Sequence, residues 1–489
     1  MFWLVACDSR PPDVVIVSID TTRADRMSLY GGAAPTSPNL ERIAARGVVF
    51  ERAFAQGNES LYSHATMLTG RYASEVARPE YTTFGLPGDA TTLAEALSAY
   101  GYATGAFTSG GHVVADYGFS QGFDTFQSVP PPRFGSFSDT VPAALAWLDS
   151  LPEDQPTFTF VHGYDAHAPY AKRGPFLHPF DVEGATPRLE TLLQSPTAAE
   201  LVHGRSYFPD RTVEDLRHAV GHPILGLDFY TKLVPREGER VETLTDREIE
   251  HLRSHYDAGV AYGDVWLGLL AAGLQARGRL DDTLLVVVSD HGEDLLEHGF
   301  ANHRTTLADT VVHVPLVIVG PGFGRGERRG DLVELRDLVP TVLARVPGAM
   351  LPAGVAGRDL AGAPPVDAVF AEGVMDMVSV RTDRWKLVYR GAPLAVPDYA
   401  DRLAAADLAG PQFQLYDLVA DPGEHTPVRD PVAAGLRDRL VAWRRSLAVS
   451  DRTVGKVDPA VKAALREHGY WEPTPETGPP SGSRSPPPP

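Results

Sequence analysis

A doubly wound, mostly parallel α/β sheet flanked by helices, followed by a smaller C-terminal α+β subdomain with an antiparallel sheet, is the architecture this sequence predicts. Three patterns predict it. The runs "DVVIVSID" (13–20) and "TLLVVVSDHGED" (283–294) are apolar and β-branched until they end in acidic residues, as buried parallel strands do. Helical stretches alternate with such runs through residue 340, the order that winds a parallel sheet. From about residue 375 the period changes to two, in "VSVRTDRWKLVY" (378–389) and "FQLYDLVADPGE" (413–424), with turn residues between.

The elements follow in order. Residues 1–12 read as a truncated signal or lipobox with a polar linker. Leu4-Val5-Ala6-Cys7 matches a bacterial lipobox, and Cys7 is the one cysteine, so no intrachain disulfide forms. Only six residues precede it, whereas a signal needs a basic segment and about 7–15 apolar residues. A real lipobox implies a lipid anchor through Cys7 and a place in the bacterial cell envelope or periplasm; without it the chain is expected in the cytoplasm. "PNLERIAARG" (38–47) is a helix with a glycine stop, and "ATTLAEALSAYGYATGAF" (90–107) reads as helix, glycine, strand. "PTFTFVHGYDAHAPY" (156–170) is a strand entering a His-rich loop, and the Pro-, Arg- and aromatic-rich 171–245 is an insertion over one face. An amphipathic helix spans 244–278, and "VPLVIVGPG" (314–322) is a further strand. These pieces divide into an α/β domain at 13–345, a C-terminal subdomain at 346–470 and a disordered Pro-rich tail at 471–489.

Apolar and charged fractions of 43% and 22% suit a globular chain with a sizeable core. A net charge of -19 excludes a general nucleic-acid binder, which would carry a basic face. No run of about 20 apolar residues occurs, so no transmembrane helix is expected.

Three predicted strand ends carry candidate ligands: Asp20, the pair Asp165 and His167, and Asp290-His291 followed by His298 and His303. Carboxylates with imidazoles suit magnesium, calcium, manganese or zinc. One isolated Asp-His pair is more simply a helix cap beside a surface histidine. Three clusters at three strand ends argue for a site, because a carboxylate closing an apolar strand is costly unless satisfied.

Eight collinear segments resemble the sulfatase family of the alkaline phosphatase superfamily, over roughly 13–445. They include "VVIVSIDTTRADRMSLYGG", "SHATMLTGRY", "YGFSQGFDTF" (117–126), "YDAHAPY", "TLLVVVSDHGEDLLEHG" and "HVPLVIVGPG". The resemblance implies that Asp20, Asp290 and His291 hold one divalent metal ion beside Ser60. It also implies that His167 contacts the transferred anion or protonates the leaving oxygen, with His303 nearby. The substrate would be an anionic small-molecule or glycan ester, reached beneath the 171–245 insertion on the active-site face. A second metal would need Asp165, whose spacing to His167 is two where two-metal relatives use four. His298 and His313 read as structural.

The departures are as informative. Aligned on Thr69-Gly70-Arg71, the family's Cys-x-Pro-x-Arg becomes Ser60-Leu61-Tyr62-Ser63-His64. The signal that converts the first residue to formylglycine is broken, so Ser60 is expected unmodified, with His64 in the arginine's place. Thr21, Asn302 and "TSGGH" (108–112) stand where the family carries an aspartate, a lysine and a Lys-x-His segment. An unmodified serine can act as nucleophile when a divalent cation favours its alkoxide. The leading expectation is therefore a metal-dependent hydrolase of sulfuric or phosphoric esters. A non-catalytic sulfatase-like anion or glycan binder, and a phospho-group transferase or mutase, are the alternatives.

Overall fold

The computed structural model describes residues 10–79, 84–168, 170, 246–298, 301–304, 306–374, 376–391, 394–453 and 457–467. The lipobox with Cys7, the insertion 171–245 and the tail 471–489 lie outside the described residues. Among the described residues no helix is long and apolar enough to cross a membrane.

A mixed sheet of eight strands runs in the order β10-β2-β9-β6-β1-β5-β3-β4. Its strands are β1 (Asp13–Ile19), β2 (Val48–Phe54), β3 (Ala103–Thr108), β4 (Thr125–Ser128), β5 (Thr157–Gly163), β6 (Thr283–Val288), β9 (His313–Val319) and β10 (Glu327–Glu334). Only β9 opposes the rest, pairing antiparallel with both β2 and β6. Between β6 and β9 a short ladder joins β7 (Asp294–Leu295) to β8 (Ala301–Asn302).

The apolar run in β1 has a direct cause. Val14 and Ile16 pack into a core shared with Leu61, Ala65 and Leu68 of helix α2 (Ser60–Thr69). Val15, Val17 and Ile19 face the other side, packed with Leu252, Val260 and Leu267 of the long helix Asp246–Ala276. Both faces are covered, and each buried Val or Leu contributes about 1.5–3 kcal/mol, so no polar alternation survives. Strands β2 and β10 escaped the sequence reading. β10 is an edge strand whose first half, Glu327–Gly330, is charged and largely exposed. In β2, Glu51 and Arg52 interrupt the apolar run.

The C-terminal region forms a separate antiparallel sheet of four strands: β11 (Val369–Gly373), β12 (Met377–Arg381), β13 (Trp385–Arg390) and β14 (Phe413–Asp417). The predicted strand 378–389 is thus the β12–β13 hairpin, turning at Asp383-Arg384.

Polar junctions fasten this region to the larger sheet, two of them around Lys386 and His298. Lys386 of β13 is fully buried, and its Nζ lies 2.8 Å from Asp309 Oδ1 and 2.9 Å from Glu424 Oε1. Asp309 also accepts from Arg381 at 3.1 Å. At the second junction, His298 donates from Nε2 to the Gly423 carbonyl at 2.9 Å and from Nδ1 to Asp294. Burial opposes its charge, but the bond to Asp294 outweighs that and pushes the imidazole up to about 9.

Lys386→Met should cost roughly 3–5 kcal/mol in urea denaturation, because it strands buried carboxylates without their cation. For His298 the raised value means stability fully present below pH 6.5 and lost as pH rises through about 9. Melting temperature should therefore fall more steeply over that window in the native chain than in His298→Gln; parallel curves would exclude a charged His298.

Candidate active site

The strand order β6-β1-β5 sets the carboxyl ends of three strands side by side. Ser18 pairs in register with His162 on one side and with Val288 on the other. Asp20 and Asp290 then leave the carboxyl ends of β1 and β6, where open α/β sheets place their sites. The sheet brings Asp20, Asp290 and His291 together, and α2 lays Ser60 against them. All four are fully buried.

Ser60 opens α2 without capping it. The cap is Glu59, whose Oε1 accepts the Tyr62 N–H at 3.0 Å, so the serine side chain remains available to the cluster. Ser60 Oγ donates to Asp20 Oδ2 at 3.1 Å and lies 3.3 Å from His291 Nε2. Tyr62, in the family's proline position, packs its ring 4.6 Å from Phe84 in the core.

Thr21, at φ 59, holds the left-handed conformation, a strained choice for a β-branched residue. That turn aims its N–H at Asp290 Oδ1, 3.1 Å away, and its hydroxyl at Asp20 Oδ1. Tyr256 locks it by donating to the Thr21 carbonyl at 2.7 Å. Gly292 follows the pair where space is tight: a Cβ there would stand 2.2 Å from the Thr310 carbonyl.

Asp290 Oδ1 accepts the N–H groups of Thr21 and His291, yet buried Oδ2 has no hydrogen-bond partner. It lies 3.3 Å from His291 Nε2 and 3.5 Å from His64 Nδ1. His291 Nδ1 donates to the Gly292 carbonyl at 2.9 Å, which leaves Nε2 of the neutral ring as a lone pair facing the carboxylates. Burial and the charge of Asp290 push the Asp20 carboxyl well up. Burial acts on Asp290 too, but His291, His64 and His162 hold its carboxyl down. On His291 burial is outweighed by Asp290 and Asp20, which raise the imidazole. An unpartnered carboxylate oxygen, a second buried carboxylate, a serine hydroxyl and an imidazole lone pair together fit a divalent cation. Asp20, His64 and Asp290 likewise each offer a ligand atom, all within 4.8 Å of one another.

The histidines beyond the cluster form a file. The His303 ring is 4.4 Å from His291 and 5.5 Å from His167, and its Nδ1 lies 3.0 Å from Glu293 Oε1. Asp165 turns elsewhere: its Oδ2 accepts the Phe137 N–H at 2.9 Å, where a helix begins. His313 bonds the Glu51 carbonyl at 2.8 Å. Sequence reasoning missed His162, Glu59 and Glu293. His162 was the most legible of them, as a polar residue inside the apolar run "TFTFVHG".

The chain matches the Sulfatase family over residues 12–349. Arylsulfatase K of Xenopus laevis is 28% identical over 301 residues, 60% of this chain and 52% of that protein. Arylsulfatase K of Rattus norvegicus is 25% identical over 448 residues, covering 86% of this chain and 75% of its own. Among solved structures, the phosphonate monoester hydrolase of Agrobacterium radiobacter superposes with a TM-score of 0.66 at 22% identity, over 89% of this chain and 95% of that one. A protein solved in complex with its substrate D-glucosamine-2-N,6-O-disulfate gives 0.65 at 18%, over 94% and 98%. The two structures share the fold, and the family match spans more than half of the sequence, so this chain belongs to the sulfatase family.

Proposed function

We propose that this chain is a metal-dependent hydrolase of sulfuric or phosphoric esters in which Ser60, unmodified, is the nucleophile. The observation that carries the reading is the position of Ser60 Oγ, 3.1 Å from Asp20 and 3.3 Å from His291 at the start of a buried helix. Asp20, Asp290, His291 and Ser60 would hold a single divalent cation. When bound, that cation neutralises the paired carboxylates and lowers the cost of the serine alkoxide.

The residues divide the remaining work. The Ser60 proton passes along its hydrogen bond to Asp20 as Oγ attacks sulfur or phosphorus. The bond to the leaving oxygen breaks on the opposite side, and His167 contacts the transferred group or protonates that oxygen. His303, anchored to Glu293, lies between His167 and His291. Attack of water on the Ser60 ester then returns the hydroxyl. Names among the relatives, an arylsulfatase and a phosphonate monoester hydrolase, support anionic esters of either kind. An unmodified serine favours the phosphorus esters, because water resolves a phosphoserine more readily than a sulfoserine.

A second reading, a non-catalytic anion or glycan binder, is favoured by one observation. His64 replaces the family's arginine, and burial pushes its imidazole down to about 4, so that position carries no charge at neutral pH.

The readings separate on a panel of aryl sulfate, phosphate, phosphonate and phosphodiester substrates, each with added magnesium, calcium, manganese or zinc. Ser60→Ala should lower turnover of the active substrate by at least about three orders of magnitude while metal content falls only modestly. Protein purified without chelator and found free of divalent metal would sink the hydrolase reading. The mass of the proteolytic peptide that contains Ser60 should equal the encoded mass; loss of a hydrogen pair there would reveal formylglycine instead.

A further inference from the structure

Two buried histidines beside the cluster, His162 and His64, have their protons fixed by what surrounds them. His162 Nδ1 faces the Ser109 backbone N–H at 3.3 Å, a group that can only donate, so this nitrogen accepts. The ring proton of neutral His162 therefore sits on Nε2, 3.1 Å from Asp20 Oδ2. His64 is the reverse. Its Nδ1 is 2.9 Å from the Ser60 carbonyl, which can only accept, so Nδ1 carries the proton and also faces Asp290 Oδ2 at 3.5 Å. Its Nε2 accepts from Ser18 Oγ at 3.0 Å. The rings meet edge to face, 5.2 Å apart at 85°, so neither can turn without displacing the other.

Resting on the metal site proposed above, we infer that His162 and His64 are positioning residues outside the ligand set. His162 aims its Nε2–H at Asp20, and His64 fixes Ser60 through its carbonyl while facing Asp290 with the same N–H. Neither ring has a lone pair directed at the cluster: each spends its one acceptor nitrogen on Ser109 or Ser18. His64 lies near enough to be a ligand by distance alone, but ligation through Nδ1 would require its ring to give up the bond to the Ser60 carbonyl and to reverse the one to Ser18. The shared layer follows from the fold, since Ser18 and His162 are register partners on β1 and β5. Partners of this kind orient ligand carboxylates, and their removal weakens metal binding by about 10–100-fold.

The test uses the full chain, stripped of metal and titrated by calorimetry with magnesium, calcium, manganese or zinc ions. His162→Leu and His64→Leu should each weaken binding about 10–100-fold without changing stoichiometry. His162→Gln and His64→Asn, which return an N–H near the required atom, should restore most of that loss. Melting temperatures in chelator identify any variant that fails to fold, in which case the conservative variant carries the comparison with the native chain. Unchanged affinity in the Leu variants, or Gln and Asn variants as weak as Leu, would overturn the inference. So would complete loss of the ion from folded His64→Leu alone, since that marks a ligand. Absence of binding by the native chain would overturn the proposed function, and this inference with it.

Discussion

Asp20 and Asp290 are two carboxylates buried together at the ends of neighbouring strands, and much of the surrounding structure answers the electrostatic problem they create. Their oxygens lie within 4.8 Å of each other, where two unit charges at an effective dielectric constant of about 20 repel by roughly 3–4 kcal/mol. Backbone N–H groups from Thr21 and His291 meet one oxygen of Asp290, and hydroxyls from Thr21 and Ser60 meet Asp20. These bonds soften the repulsion and leave one oxygen, Asp290 Oδ2, without a bond. A cation bound there would complete the set, and the strained turn at Thr21 is the backbone's share of the same arrangement.

The helix that carries Ser60 shows how a departure from the family pattern can be accommodated. Tyr62 is large and buried, and it is held by Phe84 within the core that also contains Leu61 and Ala65. The helix therefore stays in place although its proline is gone. His64 fills the arginine's position with a ring that hydrogen-bonds inward, to Ser18 and to the Ser60 carbonyl. The position has exchanged a charge for a fixed geometry.

The large sheet was legible in the sequence wherever both faces of a strand are covered. β1 and β6 announced themselves because every residue from Val14 to Val17 and from Leu284 to Val288 is buried. β2 and β10 did not, since Glu51, Arg52 and the charged start of β10 break any periodic signal. At the site, residues closing strands were readable because an acid there needs a reason. Asp20, Asp290 and His291 could be singled out on that ground. His162 and Glu293 were not, because their roles depend on which strand lies alongside and which ring stands opposite. Such partners are set by tertiary register, which no local pattern encodes. The roles of His167 and His303 likewise came from resemblance, and the ring contacts that run from His291 through His303 to His167 are a property of the folded loops.

Glu59 gives the helix that carries Ser60 an unusual polarity. A helix start ordinarily offers bare N–H groups and about half a positive charge to an incoming anion. Here an acidic side chain occupies that position, bonded to Tyr62 N–H and buried without exposure to water. The helix therefore has little attraction left for a negative ligand, and its dipole is spent on holding its own cap. On the proposed function, recognition of an anionic group would fall to His291, His303 and His167 and to the cation that the carboxylates would hold. On that reading substrate affinity would rise and fall with metal occupancy, so that an empty cluster would also be a poor trap for anions.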